Sequence, residues 1–167
     1  DLRDSRSGDA VVAYAAEHDL EPVPPFHCDL VLGVATYALE LFDGTGPIDT
    51  VYVPVGMGSG INAIIAVRDL LGLDTRVVGV VSDAAPASKL TFDSGTLTTT
   101  PTAATFVDGV ATRSPDAHSM AGVIAGAARI VSVPDDAVAD AMRTIFRTTH
   151  NVAESAGAIA LAGLLSE

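Results

Sequence analysis

Three short apolar segments rich in β-branched residues alternate along the chain with segments of helical periodicity. They are Thr50–Val55, Arg76–Val81 and Arg129–Val133. Each has the length and composition of a strand that is buried on both faces. Strands that are joined by helices in this alternating way are typical of a largely parallel sheet. The sequence therefore predicts an α/β fold with a mostly parallel sheet flanked by helices.

The segments around these strands predict the remaining elements. Glu21–Val23 is predicted as a further short strand, ended by two prolines, and residues 93–104 as a surface loop. No internal repeat or linker divides the chain, so residues 1–167 are predicted to form one α/β unit. The predicted helices are Asp9–His18, about Leu30–Phe42 with Asp29 as N-cap, about Ile61–Leu71, Ala84–Phe92, Pro115–Ala127, Asp135–His150 and Val152–Leu165.

Composition excludes several functional classes. The net charge of −12 argues against a nucleic-acid partner, because phosphate backbones attract Lys and Arg. The apolar stretches are too short or too interrupted by charges to predict a membrane span. Cys28 is the single cysteine, which excludes an internal disulfide and predicts a cytoplasmic protein. A single phosphate remains a possible ligand, since backbone N–H groups can hold it without basic side chains.

The most informative segment for function is Val53–Ile61, which reads VPVGMGSGI. It places glycines at alternate positions between a predicted buried strand and a predicted helix. Glycine lets the backbone turn sharply and approach a ligand closely, and the helix adds its positive end at the same point. Strand, glycine loop and helix N-terminus together predict an anion site, in which Ser59 can donate its hydroxyl.

Two other glycine motifs do not fit this loop. A dinucleotide fingerprint needs G-x-G-x-x-G, and here Ile61 stands where the third glycine is required. A P-loop needs Lys after its last glycine, and no Lys follows. From spacing alone, a tight turn without a ligand is an equally good interpretation of the glycines.

Four segments resemble motifs of the serine/threonine dehydratase family in the family's own order. The loop is similar to the family's "VPVGGGG" phosphate loop, and the resemblance covers essentially the whole chain. The segments are Pro25-Phe26 followed by Thr36–Glu40, Val51–Gly60, Thr105–Ala111 (TFVDGVA) and Ala153–Ala162 (AESAGAIALA).

The resemblance implies an enzyme of fold type II that depends on pyridoxal 5'-phosphate (PLP), related in fold to the tryptophan synthase β-subunit. It implies that the glycine loop holds the cofactor phosphate, that Gly109 lies beside the ring and that Glu154 lies near the ring or substrate. Gly109 could instead form a simple turn with Asp108, and Glu154 could be a first-turn helix acid. The implied cofactor-binding residues are Gly56, Met57, Gly58, Ser59, Gly60, Gly109 and Glu154.

The departures from the family pattern are also informative. Val34-Ala35 replaces Gln-Gly, and the loop is GMGSG rather than GGGGL. Val81 occupies the position of a Glu that belongs to a divalent-metal site in metal-activated members, so no such site is expected. The pattern resembles a bacterial subgroup of threonine dehydratases and hydroxyectoine-utilisation dehydratases.

The chain has a single lysine, Lys89, on a predicted short helix after the second buried strand. The family carries its Schiff-base lysine far N-terminal to the glycine loop, so Lys89 is interpreted as a surface residue. The chain begins without Met and ends within an apolar helix. We therefore expect the chain to be part of a longer enzyme. It should comprise mainly the larger C-terminal phosphate-binding domain, without the lysine-bearing region and the final C-terminal segment. We expect it to be inactive alone.

Two other groups of polar residues do not predict a functional site. His27, Cys28 and Asp29 are adjacent, but no further ligand lies at a suitable spacing, so no metal site is predicted. His150-Asn151 stands between two predicted helices, where a pocket role is a weaker alternative to N-capping by Asn.

For the intact protein, the resemblance implies a threonine or serine ammonia-lyase, a dehydratase that converts a β-hydroxy amino acid to a 2-oxo acid and ammonia. It also implies a homo-oligomer, a dimer, acting on a small amino-acid substrate. The alternatives are an amino-acid racemase or β-replacing PLP enzyme of the same fold, or a non-catalytic domain for phosphate binding or assembly.

Overall fold

The computed structural model describes residues 7–167, with side-chain surroundings from Ala10 onward. Residues 7–9 start a helix that extends to Glu17, so most of the first predicted helix is present. The strands are β1 (Thr50–Pro54), β2 (Arg76–Ser82) and β3 (Arg129–Val133). The helices are α1 (Ser7–Glu17), α2 (Cys28–Thr45), α3 (Ser59–Leu70), α4 (Ala87–Ser94), α5 (Ala117–Gly126), α6 (Asp135–Thr149) and α7 (Ser155–Leu165), with a 3₁₀ turn at Asp108–Val110.

The sheet is parallel throughout the described chain and has the order β1-β2-β3. In this register Val53 lies opposite Gly79, and Gly79 opposite Ile130. All residues of the central strand β2 after Arg76 are buried, as expected for a strand covered on both faces. The predicted α/β class with a parallel sheet and flanking helices is confirmed.

Helices cover both faces of the sheet, and each face has its own apolar cluster. On one face, side chains of α2, α3 and α5 pack around Val77 and Val81 of β2. On the other face, α6 and α7 pack around Val80, together with Val107 and Val110 from the loop that contains the 3₁₀ turn. This second cluster fixes that loop against the sheet, next to the carboxyl ends of the strands.

Several predicted boundaries differ from the structure. Glu21–Val23 is not a strand: it is exposed and pairs with no strand in the described part of the chain. The N-cap of α2 is His27 rather than Asp29, because His27 Nδ1 accepts the Asp29 N–H at 3.2 Å. Helix α4 begins at Ala87 rather than Ala84, since the chain first turns with Ala85 N–H donating to the Ser82 carbonyl at 3.0 Å.

From residue 7 to residue 167, no helix has both the length and the apolar character that crossing a bilayer requires.

Candidate functional site

The glycine loop lies at the carboxyl edge of the sheet, between the end of β1 at Pro54 and the start of α3 at Ser59. Gly58 is the N-cap of α3 and has φ +93°, in the left-handed region that favours glycine. Ligands of parallel α/β sheets bind at this edge, where strands feed into helices. The predicted strand–loop–helix arrangement is therefore present.

The backbone N–H groups of residues 56–61 donate to no acceptor within the described chain. The last N–H before them, that of Val55, donates to the Val80 carbonyl of β2, and the first after them, that of Asn62, donates to the Gly58 carbonyl. Buried or half-buried amides seldom stay unpaired, so these N–H groups need an external partner. They also lie at the positive end of α3, which favours an anion as that partner.

The loop is open on its outer side. Gly56, Met57, Ser59 and Gly60 are half-buried, whereas Gly58 is buried. The opening remains although the loop is tightly packed from the protein side, as the next contacts show.

Gly56 packs against the 3₁₀ turn. A Cβ atom on Gly56 would lie 2.3 Å from the Gly109 carbonyl oxygen, and a Cβ on Gly109 would lie 2.7 Å from Ala156 Cβ. Both distances are shorter than any real Cβ contact, so only glycine fits at either position. The structure thus brings together the loop, Gly109 and the first turn of α7.

Gly58 packs against α5 on the other side of the loop. A Cβ on Gly58 would lie 2.1 Å from Ser119 Oγ. Asn62 links the same elements, because its Nδ2 donates to the Gly58 carbonyl at 2.8 Å and lies 3.2 Å from both Ser119 O and Oγ. The sequence analysis missed Asn62 and Ser119, whose separation of 57 residues leaves no local signal.

Helix α2 braces the end of the loop. Tyr37 donates its hydroxyl to the Gly60 carbonyl at 3.3 Å. Burial raises the pKa of Tyr37, so the phenol stays protonated and remains a donor at neutral pH. This contact holds the first turn of α3 against α2.

Met57 and Ser59 are the side chains of the loop. The Met57 sulfur lies 3.9 Å from Thr112 Oγ1, so this side chain points to the segment after the 3₁₀ turn. The Ser59 hydroxyl makes no hydrogen bond within residues 10–167 and is half-buried at the start of α3. It is therefore available to donate to a ligand.

Glu154 is the N-cap residue of α7, and its side chain is exposed and makes no capping hydrogen bond. Ala156, two residues further on, is the neighbour of Gly109. Glu154 therefore stands near the same edge of the sheet as the loop.

Asp135 is a polar centre that the sequence analysis used only as a helix-start residue. Its Oδ1 accepts hydrogen bonds from Ser82 Oγ and Thr105 Oγ1, both at 2.7 Å, and its Oδ2 accepts from the Phe106 N–H at 3.2 Å. Burial of the carboxyl would by itself raise the pKa of Asp135, but these hydrogen bonds outweigh burial and hold the pKa below its ordinary value. Asp135 is thus ionised at neutral pH and joins the carboxyl end of β2 to the loop before the 3₁₀ turn.

The remaining candidates lie apart from these contacts. Lys89 forms an i,i+4 ion pair with Asp93 at 2.8 Å on the half-exposed side of α4. Val81 is fully buried in the apolar cluster beneath α3. His150 ends α6 in the left-handed conformation with φ +58°, and Asn151 donates to the Thr149 carbonyl at 3.2 Å instead of capping α7.

The His27, Cys28 and Asp29 side chains lie close together at the start of α2. Their potential ligand atoms are all within 4.8 Å of one another, and all three residues are exposed. This proximity follows from their adjacency in sequence, and His27 Nδ1 already accepts the Asp29 N–H.

Within the described chain, the loop combines N–H groups without an acceptor, a hydroxyl without a partner and a helix N-terminus at one point. Helices α2 and α5 and the 3₁₀ turn hold it in place. Such an arrangement can hold one phosphate-sized anion by backbone donors. Gly109 and the start of α7 form an adjoining wall for whatever is attached to that anion.

The sequence is similar to those of known ammonia-lyases and dehydratases. The chain is 34% identical over 145 residues to the biosynthetic L-threonine dehydratase of Escherichia coli, an alignment that covers 85% of this chain and 28% of that protein. It is 28% identical over 151 residues to an L-threo-3-hydroxyaspartate ammonia-lyase of a Pseudomonas species, covering 90% of this chain and 47% of that protein.

Solved structures share the fold. The processed form of threonine deaminase isoform 2 from Solanum lycopersicum superposes with a TM-score of 0.86 at 25% identity, covering 91% of this chain and 45% of that one. Maize serine racemase superposes with a TM-score of 0.89 at 24% identity, covering 99% of this chain and 52% of that one. This chain therefore spans about half or less of the length of these relatives.

The family model described as pyridoxal-phosphate dependent enzyme matches residues 3–167, nearly the whole chain. The match agrees with the parallel sheet, the glycine loop and the relatives above. The chain belongs to the family of pyridoxal-phosphate dependent enzymes.

Proposed function

We propose that this chain is the phosphate-binding part of a PLP-dependent ammonia-lyase, which converts a β-hydroxy amino acid such as threonine or serine to a 2-oxo acid and ammonia. The observation that carries the proposal is the set of unpaired N–H groups at residues 56–61, at the N-terminus of α3. The dehydratase and ammonia-lyase names of the similar proteins support the reaction class.

The residues of the loop fit the phosphate of PLP. In this proposal the N–H groups of Gly56, Met57, Gly58, Ser59 and Gly60 donate to the phosphate oxygens, and the Ser59 hydroxyl adds a further donor. A dianionic phosphate held in this way needs no Lys or Arg, which agrees with the acidic composition of the chain.

Gly109 and the start of α7 would orient the rest of the cofactor. Gly109, held against Gly56 and Ala156, presents backbone rather than a side chain and would allow the flat ring to lie close. Glu154 would stand near the ring or the substrate. When bound, PLP supplies an electron sink that stabilises negative charge at the substrate Cα, after which the β-hydroxyl can leave.

We further propose that the lysine that binds the cofactor lies in the part of the relatives' length that this chain does not span. Lys89 is a poor candidate because its ammonium group is paired with Asp93 on α4. The contribution of this chain is then binding and orientation, and the proton transfer at Cα belongs to groups outside it.

For the intact protein we propose a homodimer in the cytoplasm. Relatives of this kind are enzymes of small amino-acid substrates, and the single, exposed Cys28 suits a reducing compartment.

The test uses the natural polypeptide that contains this sequence, purified with PLP and assayed with L-threonine and L-serine. Ammonia and the matching 2-oxo acid are expected to appear in equal amounts. Formation of the D-amino acid without ammonia would instead identify a racemase. A protein that retains no PLP would contradict the proposal altogether.

A pair of variants tests the role of the loop. Gly58→Asp places a Cβ and a carboxylate between the loop and α5, where the Cβ would lie 2.1 Å from Ser119 Oγ, and the displaced loop with its added negative charge is expected to abolish PLP retention. Gly72→Asp is the matched control, because Gly72 has a similar positive φ of +64° but nothing within 4 Å of an added Cβ. Equal loss of PLP in both variants would mean that strain, rather than the anion site, explains the effect.

A further inference from the structure

The loop that carries Gly109 has two different attachments to the rest of the fold. Val107 and Val110 anchor it by burial in the cluster under α6 and α7. Asp135 anchors its beginning by polar contacts, through Thr105 and the Phe106 N–H. We define residues 105–110 as the site wall, because its Gly109 carbonyl abuts Gly56 of the glycine loop.

Asp135 connects the site wall to the most rigid part of the sheet. Its other hydrogen bond comes from Ser82, which is fully buried at the carboxyl end of the central strand β2. Ser82 Oγ also accepts the Ala84 N–H at 3.1 Å, which fixes the hydroxyl so that its hydrogen points to the carboxylate. The carboxylate is therefore tied to the sheet as well as to the loop.

From Asp135 the contacts continue into the site wall. Thr105 donates to the carboxylate and its Oγ1 in turn accepts the Val107 N–H at 3.0 Å. The Val107 carbonyl then accepts the Val110 N–H at 3.1 Å, which closes the 3₁₀ turn around Gly109. Hydrogen bonds therefore run without a break from the carboxylate to the turn that contains Gly109.

We propose that Asp135 is a positioning residue of the cofactor site: it holds the site wall, and through it Gly109, at the distance from Gly56 that the bound cofactor requires. This inference rests on the proposed function for its consequence on PLP, but its structural part does not. Within the described residues the hydrogen bonds of the Asp135 carboxylate go to Ser82, Thr105 and Phe106 and not to the glycine loop, so its effect is indirect. The lowered pKa of Asp135 agrees with this role, because the three donors stabilise the ionised form.

The chain offers a matched control at the next position. Asp136 has the same charge and also lies in the first turn of α6, but it is exposed, and within the described residues its carboxylate accepts only the adjacent Ala137 N–H. Asp136→Asn therefore removes the same favourable charge at the helix N-terminus without touching the site wall. Any difference between the variants at 135 and 136 reports the contacts to Ser82, Thr105 and Phe106.

The first measurement is hydrogen exchange of the backbone amides of the natural polypeptide without PLP. In Asp135→Ala, the amides of residues 106–110 are expected to exchange about tenfold faster, because hydrogen bonds to an ionised group are lost. Asp135→Asn keeps part of the acceptor capacity and should be intermediate. The amides of α3 and α5 should keep their wild-type exchange rates in both variants.

The second measurement is the equilibrium binding of PLP by the same proteins. Asp135→Ala is expected to bind PLP about tenfold more weakly, Asp135→Asn less so, and Asp136→Asn as wild type. Thr105→Val removes one of the contacts without altering Asp135 and should produce a smaller change in the same direction. If Asp135→Ala does not fold, the Asn and Thr105 variants carry the test.

The outcomes separate the two proposals. If Asp135→Asn and Thr105→Val match Asp136→Asn in both exchange and PLP binding, burial of Val107 and Val110 is sufficient and the positioning role is refuted. If the wild-type protein binds no PLP, the proposed function fails, while the exchange data still decide whether Asp135 holds the site wall. Faster exchange without weaker PLP binding would refute the connection of the site wall to the cofactor.

Discussion

Replacement of Gly58 by Ala tests whether the glycine loop is shaped by packing as well as by backbone conformation. Gly58 has φ +93°, and an L-residue in the left-handed region costs about 1–2 kcal/mol. The added Cβ would also lie 2.1 Å from Ser119 Oγ, and overpacking of this kind costs about 1–3 kcal/mol. The free energy of unfolding should therefore fall by about 2–5 kcal/mol in Gly58→Ala.

The control for the conformational part is Gly72→Ala. Gly72 has φ +64°, and an added Cβ would meet nothing within 4 Å, so only the backbone cost of about 1–2 kcal/mol remains. The steric part can be removed separately by Ser119→Ala, since the Ser119 Cβ itself would lie an acceptable 3.5 Å from the new methyl group. The double variant Gly58→Ala/Ser119→Ala should be more stable than the sum of the two single changes predicts.

Urea denaturation followed by circular dichroism measures these differences as shifts of the transition midpoint. The reasoning is refuted if Gly58→Ala is no less stable than Gly72→Ala, or if Ser119→Ala fails to recover any of the loss. The first result would mean that the loop moves away from α5 freely. The second would mean that the clash involves atoms other than the Ser119 hydroxyl.

Three further changes have expected outcomes at other positions. The pKa of Asp135 is lower in the folded than in the unfolded protein, so its contribution to the free energy of unfolding is complete above the ordinary carboxyl pKa of about 3.9. That contribution is lost as the pH falls through the lower folded-state pKa. Asp135→Asn should therefore lose less stability than the wild type on acidification, as measured by unfolding curves at a series of pH values. Gly109→Ala should lower the thermal unfolding midpoint and weaken PLP binding together, since its Cβ would lie 2.7 Å from Ala156 Cβ; an unchanged midpoint would show that the turn shifts without cost. Gly60→Ala should leave the midpoint nearly unchanged, because its Cβ would make an ordinary contact of 3.8 Å with the Tyr37 hydroxyl, and a normal PLP affinity in this variant would show that the phosphate does not approach there.

The parts of the fold that sequence analysis predicts best are those with a local pattern. The three strands are continuous apolar β-branched runs, and all three were predicted within one residue of their observed ends. The glycine loop was predicted in place because strand, glycines and helix follow one another directly in the chain. Its identification as a cofactor site came from the family resemblance, since spacing alone left a simple turn as an equal alternative.

The predictions were wrong where an element depends on a neighbouring strand, or where two residues near a helix start could serve as its N-cap. Glu21–Val23 has strand-like composition, but a strand needs a neighbour for its backbone hydrogen bonds and none pairs with it in the described chain. At the start of α2, Asp29 is predicted as the N-cap because aspartate is among the preferred N-cap residues. The structure places His27 first, so that its Nδ1 receives the Asp29 N–H.

The supporting side chains of the site could not be predicted from the sequence. Asn62 and Ser119 are 57 residues apart, and Thr105 and Asp135 are 30 apart. Neither pair has a periodic signal, and although Thr105 begins the TFVDGVA motif, nothing in that motif points to Asp135, because both contacts form only in the folded chain. Each of these residues has an ordinary local role as well, such as helix start or loop polarity, which conceals its tertiary one.

The glycines of the site are required for different physical reasons, and this distinction helps to separate folding from function. Gly56 and Gly58 are required by the protein itself, since any Cβ would collide with the Gly109 carbonyl or with Ser119. Gly60 is not, because its φ is not positive and its surroundings have room for a methyl group. The room at Gly60 allows a group outside the protein to approach the backbone there. Since the Gly60 N–H is among those without an acceptor in the described chain, the approaching group is expected to be a hydrogen-bond acceptor, as a phosphate is.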